Sequence, residues 1–335
     1  MINSLVSILI PFKNVERYFE ECLKSIQNQT YKNWEVVAVN DNSSDNSLVI
    51  ANKFAAVDQR FKILSNNESG IITALRKAYK HSSGNFISRM DADDHMSPDR
   101  IEVMVNSLIQ ERKGSLAVGK VKYFSRTGVN DGYNRYEKWL NKLTATADNF
   151  NEIYKECVIP SPCWMVHKED FEASGAFNPD RYPEDYDLAF RFYELGLKCI
   201  PCTTTLHYWR DYDNRTSRTS EHYAQNYFLD IKLHYFLKLE YKKTEKLVVW
   251  GAGKKGKTIA NSLVEKNIPF QWVCDNEKKI GKDIYGVRLN HYSELKDIKN
   301  AKTIITVANE DDQTMIKSFF AALGQIPAVD YFFFC

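Results

Sequence analysis

The chain has 335 residues, of which 44% are hydrophobic and 26% charged, a balance typical of a globular protein with about two domains. Its formal net charge is +2, so bulk electrostatics gives no reason to expect a nucleic-acid partner. No apolar run approaches the roughly 20 residues of a membrane span. Segment 1–10 lacks the charged region of a signal peptide. We therefore expect a cytoplasmic protein.

Predicted strands and helices alternate along residues 1–120. Short apolar runs predict strands, and apolar residues at helical spacing predict helices. The strands are expected at 5–10, 34–39, 61–64, 86–90 and 116–118, and the helices at 15–28, 47–56, 71–79 and 98–110. This rhythm is typical of an α/β fold with a mostly parallel sheet and helices on both faces. Ligands of such sheets bind beyond the carboxyl ends of the strands, where Pro11, Asp41 and Asp91 are expected.

The rest of the chain suggests a second, smaller domain. Segment 120–220 is less regular, and a helix predicted at 224–239 is followed by a polar linker. Alternation then resumes, with strands expected at 247–250, 270–274 and 303–308 and helices at 258–266 and 311–323. We therefore divide the chain into a first domain at 1–222, a helix and linker at 223–245, and a C-terminal βαβ domain at 246–335.

An acidic cluster follows the fourth predicted strand, in the stretch FISRMDADDHMSPDRIE. Asp91, Asp93 and Asp94 crowd like charges that water or a cation must screen. Carboxylate oxygens suit Mg²⁺ or Mn²⁺, but this loop supplies too few ligands for an all-protein cage. We expect a metal shared with a phosphate-bearing substrate. The alternative is a solvated acidic segment near a helix N-terminus.

Several motifs in fixed order resemble family 2 of the inverting glycosyltransferases, which have the GT-A fold. They are VSILIPFKNVERYFEECLKSIQNQTYKNWEVVAVNDNSSDNS, MDADD and PEDYDLAFR, and the resemblance covers roughly residues 3–220. It implies a metal-dependent enzyme that moves a sugar from a nucleotide-sugar donor to an acceptor hydroxyl. We expect a UDP-sugar donor and an acceptor in a surface polysaccharide or glycolipid. A lipid-linked acceptor would bring at most peripheral contact with the inner face of the cell membrane.

The resemblance also implies roles for single residues around the nucleotide. The loop around Pro11 and Glu16 would lie beside it, and Asp41 would accept a hydrogen bond from the uracil ring. Physically, a carboxylate can read the N3–H of uracil, which cytosine lacks. Arg76 stands where many members carry an arginine that contacts the nucleotide, although its neighbour Lys77 replaces a frequent Asn.

The acidic residues take the remaining roles in this resemblance. Asp91 would touch the ribose or the donor sugar, and Asp93 would bind the Mn²⁺ or Mg²⁺ ion, while Asp94 would be structural. Asp185 of the Glu-Asp pair at a helix start would be the catalytic base, with Glu184 facing the acceptor or structural. In isolation, the same pair would be read as favouring a helix N-terminus.

Arginines near residue 215 are candidates for a phosphate clamp. The segment HYWRDYDNRTSRTS carries Arg215 and Arg218, and guanidinium groups bind phosphate oxygens in a bidentate manner. Many family members have a mobile basic or histidine-bearing segment here. A solvated basic loop is the alternative.

A glycine-rich loop opens the C-terminal domain. Gly251, Gly253 and Gly256 fit G-x-G-x-x-G between a predicted strand and a helix, and Asp275 follows about 20 residues on, as in dinucleotide-binding sites. The domain resembles small Rossmann-like domains appended to other sugar-pathway enzymes. Two roles stay open: a structural, docking or homo-oligomer contact, and a second nucleotide or cofactor site.

Other functions deserve comparison with sugar transfer. A non-catalytic regulatory protein could sense a nucleotide-sugar or dinucleotide through the glycine-rich loop, but intact Asp91, Asp93 and Asp185 argue against inactivity. An NAD-dependent oxidoreductase would need a catalytic domain, yet only 60 residues follow Asp275. A sugar nucleotidyltransferase would need glycines after the first strand, where the chain reads IPFKNVE.

Overall fold

The computed structural model describes residues 4–213, 215, 218 and 228–335. Its contacts divide the chain into two compact units. The first takes in Met1–Asn149 and Val158–Arg215, and the second takes in Phe150–Cys157 and Thr216–Cys335. No helix in the described ranges is both long and apolar enough to cross a bilayer.

The first unit contains a mixed sheet flanked by helices. Its strands are β1 (Val6–Phe12), β2 (Trp34–Asn40), β3 (Phe61–Ser65), β4 (Phe86–Arg89), β5 (His95–Met96), β6 (Ser115–Phe124), β7 (Trp164–His167) and β8 (Lys198–Arg210). Its helices are α1 (Phe19–Gln27), α2 (Ser47–Val57), α3 (Ile71–Lys80), α4 (Arg100–Glu111), α5 (Asp131–Thr146), α6 (Lys168–Ala173) and α7 (Glu184–Glu194). The strand order is β3-β2-β1-β4-β7-β6-β8-β5.

Parallel pairing dominates this sheet, as predicted. Strands β3, β2, β1 and β4 run parallel to one another, and β6 runs parallel to β8. Strand β7 is antiparallel to both β4 and β6, and β5 is antiparallel to β8. All residues of β2 are buried, which is typical of a parallel strand covered on both faces.

Two predicted elements of the first unit had wrong bounds. Helix α1 begins at Phe19 rather than at residue 15. The amide of Val15 donates to Ser47 Oγ at 2.8 Å and that of Glu16 donates to Asp45 Oδ2 at 3.0 Å, so these amides tie two loops together instead of opening the helix. Strand β6 extends to Phe124, well beyond the predicted residue 118, because it pairs with β8 along its whole length.

The second unit is a βαβ sheet preceded by a helix. It comprises α8 (Leu229–Leu239), β9 (Lys246–Trp250), α9 (Lys254–Glu265), β10 (Gln271–Cys274), β11 (Asp283–Ile284), β12 (Val287–His291), β13 (Ala301–Ile305), α10 (Glu310–Ala322) and β14 (Tyr331–Phe333). The order is β11-β12-β10-β9-β13-β14. Residues 224–227 of the helix predicted at 224–239 lie outside the described residues. Helix α9 starts at Lys254, four residues before the predicted position.

Gly251 and Gly253 of the loop between β9 and α9, and Gly256 in the first turn of α9, differ in the space that the fold leaves for a side chain. Gly251 has a φ of +121°, and a Cβ there would lie 2.4 Å from Thr306 Oγ1. A Cβ on Gly256 would lie 2.0 Å from the carbonyl oxygen of Gly251. Gly253 has an ordinary φ of −78°, and a Cβ there would meet nothing within 4 Å. Close packing therefore requires glycine at 251 and 256, whereas the folded chain does not require it at 253.

We expect Gly256→Ala to destabilise the second unit by about 1–3 kcal/mol, because backbone must move to admit the methyl group. Gly253→Ala is the matched control and should leave the unit nearly as stable as the natural chain. Native-state hydrogen exchange of the β9 and β13 amides in the full-length protein measures this difference. Equal protection in the two variants would show that helix and loop do not approach as closely as described.

Candidate active site

Strand topology gathers the first group of predicted site residues at one edge of the sheet. Strands β2, β1 and β4 are parallel neighbours, so their carboxyl ends lie together. Pro11 is half-buried near the end of β1, Asp41 follows β2, and Asp91 follows β4. The amide of Asp41 donates to the carbonyl oxygen of Phe12 at 2.8 Å, which links the first two strand ends. The placement predicted from the sequence is thus found in the fold.

Asp41 is a buried carboxylate held by the backbone of the next loop. Its Oδ1 accepts from Asn66 Nδ2 at 2.9 Å and from the Gly70 amide at 3.0 Å, and Oδ2 also faces that amide at 3.1 Å. Lys13 Nζ lies 3.7 Å from Oδ2 and is half-exposed. These contacts fix the orientation of the carboxylate. Sequence reasoning missed Asn66 and Gly70, which no local pattern connects to Asp41.

Glu16 stabilises the loop that follows β2. It is exposed, and its Oε2 accepts from both the backbone amide and the side-chain amide of Asn46, each at 2.9 Å. The arrangement holds the loop between β1 and α1 against the start of α2. The predicted position of Glu16 and Pro11 beside a nucleotide stays a prediction.

Arg76, which is predicted to contact the nucleotide, binds the loop at 177–180 in this structure. Its Nε donates to the Phe177 carbonyl at 3.2 Å, and its second guanidinium nitrogen bonds Asn178 O at 2.8 Å and Asp180 Oδ1 at 2.6 Å. Arg76 therefore secures the loop that leads toward α7. A nucleotide contact by Arg76 stays a prediction and would require exchange of these bonds.

Asp94 is the most deeply buried carboxylate of the acidic cluster. It is fully buried, and its Oδ1 accepts from the Arg210 amide at 2.6 Å. Its Oδ2 lies 2.9 Å from His207 Nε2, while His207 Nδ1 lies 3.1 Å from a nitrogen of Arg100. Because an arginine can only donate, Nδ1 accepts and a neutral His207 carries its proton on Nε2, which donates to Asp94. Burial, followed by the charge of Arg100, lowers the pKa of His207, which agrees with the neutral form.

Asp93 presents a crowded carboxylate. It is half-buried, and its Oδ2 accepts from the Tyr212 hydroxyl at 2.8 Å, while its carbonyl accepts from Arg210 Nε at 2.7 Å. Burial and the neighbouring charge of Asp94 raise the pKa of Asp93 to about 7, although Arg215 opposes the change. Additional positive charge beside Asp93 would therefore be stabilising.

Two arginines line the acidic cluster. The guanidinium of Arg210 lies between two aromatic rings, 4.6 Å from the centre of Tyr18 and 4.5 Å from that of Phe124. The guanidinium of Arg215 lies 5.2 Å from the centre of the Trp209 ring. Burial works against its charge, but the phenol of Tyr123 and the carboxylates of the cluster raise the pKa of Arg215. Arg218 is exposed, and the predicted phosphate clamp stays a prediction.

The predicted base lies in the first turn of α7. Asp185 is half-buried and its Oδ1 accepts from the Tyr186 amide at 2.8 Å, whereas Glu184 is buried and accepts from Arg89 at 2.9 Å. Burial raises the pKa of Asp185, and the positive charge of Arg89 counteracts it. Burial likewise raises the pKa of Glu184 to about 7. Asp185 is thus the more accessible carboxylate of the pair.

Arg89 connects the first turn of α7 to the acidic cluster. One nitrogen of its guanidinium bonds Glu184 Oε1, and the other bonds Asp91 Oδ1 at 3.2 Å. The sequence offers one signal for this residue, an arginine placed two positions before an acidic cluster at the end of a buried strand. The side chains of Asp91 and Glu184 are therefore within reach of one guanidinium group.

The described ranges hold no set of three His, Cys, Asp or Glu side chains that could bind an ion unaided. The oxygen chemistry of Asp93 nevertheless fits a hard divalent cation.

The glycine loop of the second unit lies at the carboxyl end of β9, between β10 and β13. The connection after β9 leads to β10 on one side, and that after its neighbour β13 leads to β14 on the other. Ligands bind at such a reversal in open α/β sheets. Asp275 directly follows β10 and is exposed. The second nucleotide site predicted at Gly251, Gly253, Gly256 and Asp275 stays a prediction.

Comparison with known proteins decides the family of the first unit. The model of the family described as "Glycosyl transferase family 2" matches residues 7–175. The chain belongs to glycosyltransferase family 2. An uncharacterized glycosyltransferase of Haemophilus influenzae is 40% identical over 229 residues, which cover 65% of this chain and 69% of that protein.

Other relatives extend beyond the matched region. Glycosyltransferase GlyA of Streptococcus pneumoniae is 27% identical over 216 residues, so the match covers 63% of this chain but 31% of that protein. The structure of S. aureus TarS 1–349 in complex with UDP-GlcNAc matches with a TM-score of 0.55 at 16% identity, covering 78% of this chain and 72% of that one. The latter likeness concerns the fold, and the predicted GT-A-type architecture is confirmed.

Proposed function

We propose that this family member transfers a sugar from a nucleotide-sugar donor, a UDP-sugar in our expectation, to an acceptor hydroxyl. One observation carries the proposal: the fold brings Asp41 and Asp91 to one sheet edge, and Arg89 joins that edge to the helical turn of Asp185. UDP-GlcNAc in the complex of the structural neighbour TarS supports a uridine nucleotide.

Donor recognition would begin at Asp41. Asn66 and the Gly70 amide hold its carboxylate in one orientation, so it costs little conformational entropy to present a lone pair to a ligand. We propose that this lone pair accepts the N3–H of uracil. Pro11, Glu16 and Arg76 would then border the nucleotide.

The diphosphate would lie against the acidic cluster with a divalent cation, Mn²⁺ or Mg²⁺. Asp93 would hold the ion, because Asp94 is already committed to His207 and the Arg210 amide. When bound, the ion supplies Lewis-acid neutralisation of the leaving diphosphate. Asp91 would touch the ribose or the donor sugar, and Arg215 and Arg218 are proposed to attract the phosphates.

Asp185 would act as the general base. The acceptor oxygen attacks the anomeric carbon from the side opposite the diphosphate, and its proton passes to the Asp185 carboxylate as the C–O bond forms. The carbon–diphosphate bond breaks in the same displacement, so the anomeric configuration inverts. The partly exposed position of Asp185 leaves room for an incoming hydroxyl.

The acceptor is proposed to be a glycan or lipid-linked glycan of surface polysaccharide or glycolipid synthesis. A cytoplasmic enzyme would meet a lipid-linked acceptor at the membrane surface through peripheral contact. The second unit would serve homo-oligomer contacts or bind a second nucleotide, and neither role alters the chemistry proposed for the first unit.

A donor panel tests this function. The purified full-length protein is incubated with UDP-, GDP- and CDP-sugars, with lipid-linked and free glycan acceptors, in the presence of Mn²⁺ or after chelation. We expect release of UDP from at least one UDP-sugar, lost after chelation. Release of GDP or CDP alone would overturn the donor assignment, and NAD reduction without nucleotide release would favour an oxidoreductase.

A further inference from the structure

Arg89 occupies an unusual position for a charged side chain. It is the last residue of β4 and only 5% exposed. Its two terminal nitrogens bond Glu184 Oε1 at 2.9 Å and Asp91 Oδ1 at 3.2 Å, and its Nε has no hydrogen-bond partner among the described residues. Burial of an arginine is tolerated where carboxylates compensate its charge.

The two partners of Arg89 belong to different parts of the site. Glu184 lies 95 residues further along the chain, in the first turn of α7 next to Asp185. Asp91 begins the acidic cluster after β4. A planar guanidinium bonded at both ends leaves little freedom between the two segments. The pairing therefore fixes the turn that carries Asp185 relative to the strand end that carries Asp91.

The charges that face Asp185 come from three directions. Arg89 reaches it from β4, Asp91 from the loop after β4, and Glu184 from its own helix. Burial and the charge of Asp91 disfavour ionisation of Asp185, while Arg89 favours it. A general base must be ionised to accept a proton.

We propose that Arg89 is a positioning residue for sugar transfer, holding the Asp185 carboxylate against the donor side of the site and supplying the positive charge that faces it. This inference rests on the proposed function. Arg89 touches neither reacting atom and acts through Glu184 and Asp185.

The test is the dependence of kcat/KM on pH. Arg89→Met removes a charge that lowers the pKa of Asp185, so the acid limb of the profile should move to higher pH. We expect the ratio of kcat/KM at about pH 6 to that at about pH 8 to fall at least about fivefold relative to the natural enzyme. Arg89→Lys keeps the charge and should restore most of that ratio.

Glu184→Gln provides a second variant that keeps a polar side chain of similar size. Burial raises the pKa of Glu184 to about 7, so this carboxyl is largely protonated over the acid limb and its replacement changes little charge there. The acid limb of Glu184→Gln should therefore stay close to the natural one, while that of Arg89→Met moves to higher pH. An acid limb that stays at the natural pH in Arg89→Met, or that moves equally in Glu184→Gln, overturns the inference. If Arg89→Met fails to fold, Arg89→Gln takes its place with the same expected displacement.

Arg191→Met is the matched control. Arg191 forms a partly buried ion pair on the same helix, with its Nε 2.8 Å from Asp187 Oδ2. The Arg191→Met variant should lose thermal stability and keep the natural pH profile. If its profile moves as that of Arg89→Met does, the change reflects a general structural effect and the inference is overturned. If the natural enzyme transfers no sugar from any donor, the proposed function fails. If it transfers sugar and Arg89→Met keeps its profile, this inference alone fails.

Discussion

Asp185→Asn is expected to lower kcat about 100-fold or more while the KM for the donor changes little. The amide has nearly the shape of the carboxylate and cannot take the proton of the acceptor hydroxyl. Asp185 is half-buried and its Oδ1 is oriented by the Tyr186 amide, so the substitution should leave the helix start in place. Initial rates of nucleotide release from the active donor measure the effect.

Asp187→Asn is the control for this prediction. Asp187 lies two residues further along the same helix, but its carboxylate pairs with Arg191 and Arg181. Its replacement should lower the melting temperature and leave kcat within a few fold of the natural value. Natural activity in Asp185→Asn, or an equal loss in Asp187→Asn, would remove the assignment of the base.

Asp93→Asn is expected to abolish the dependence of donor binding on Mn²⁺ and to raise the donor KM at least about tenfold. Asp94 cannot substitute for Asp93, because its oxygens accept from His207 and from the Arg210 amide. Calorimetric titration of UDP with and without Mn²⁺ measures the change. Asp99→Asn is a suitable control, because Asp99 lies outside the acidic cluster, directly before α4, and accepts from Ser97 Oγ at 2.7 Å.

The raised pKa of Asp93 also predicts how Mn²⁺-dependent binding of UDP changes with pH. Burial and Asp94 raise the pKa of Asp93 to about 7, so at lower pH its carboxyl carries a proton that must leave before an ion binds. The Mn²⁺-dependent affinity for UDP should therefore rise as the pH increases through about 7. The dependence should be absent in Asp93→Asn, and its persistence there would place the metal elsewhere.

Local patterns predicted the first four strands because each is a short apolar run closed by polar residues. They also placed Pro11, Asp41 and Asp91 together, since parallel neighbours end at one edge. Strand β8 was not predicted from the sequence. Exposed and buried residues do not alternate regularly along it, and its pairing with β6 is interrupted by shifts of register around Lys120.

Contacts between distant segments could not be read from one sequence. Asp94 and His207 lie 113 residues apart, and neither flanking pattern shows that they meet. Arg89 and Glu184 are a similar case, because a buried ion pair depends on the packing of α7 against the sheet. For Arg76, the resemblance implies a nucleotide contact, whereas the structure shows the side chain bonded to the loop at 177–180.

The most direct test is a thermal-shift titration of the full-length protein with UDP, GDP, CDP and NAD, each with and without Mn²⁺. A ligand that binds the folded chain alone raises the melting temperature by mass action. We predict a shift with UDP that requires Mn²⁺ and disappears in Asp93→Asn. A clear shift with NAD and none with UDP would contradict the donor site proposed at Asp41 and Asp93.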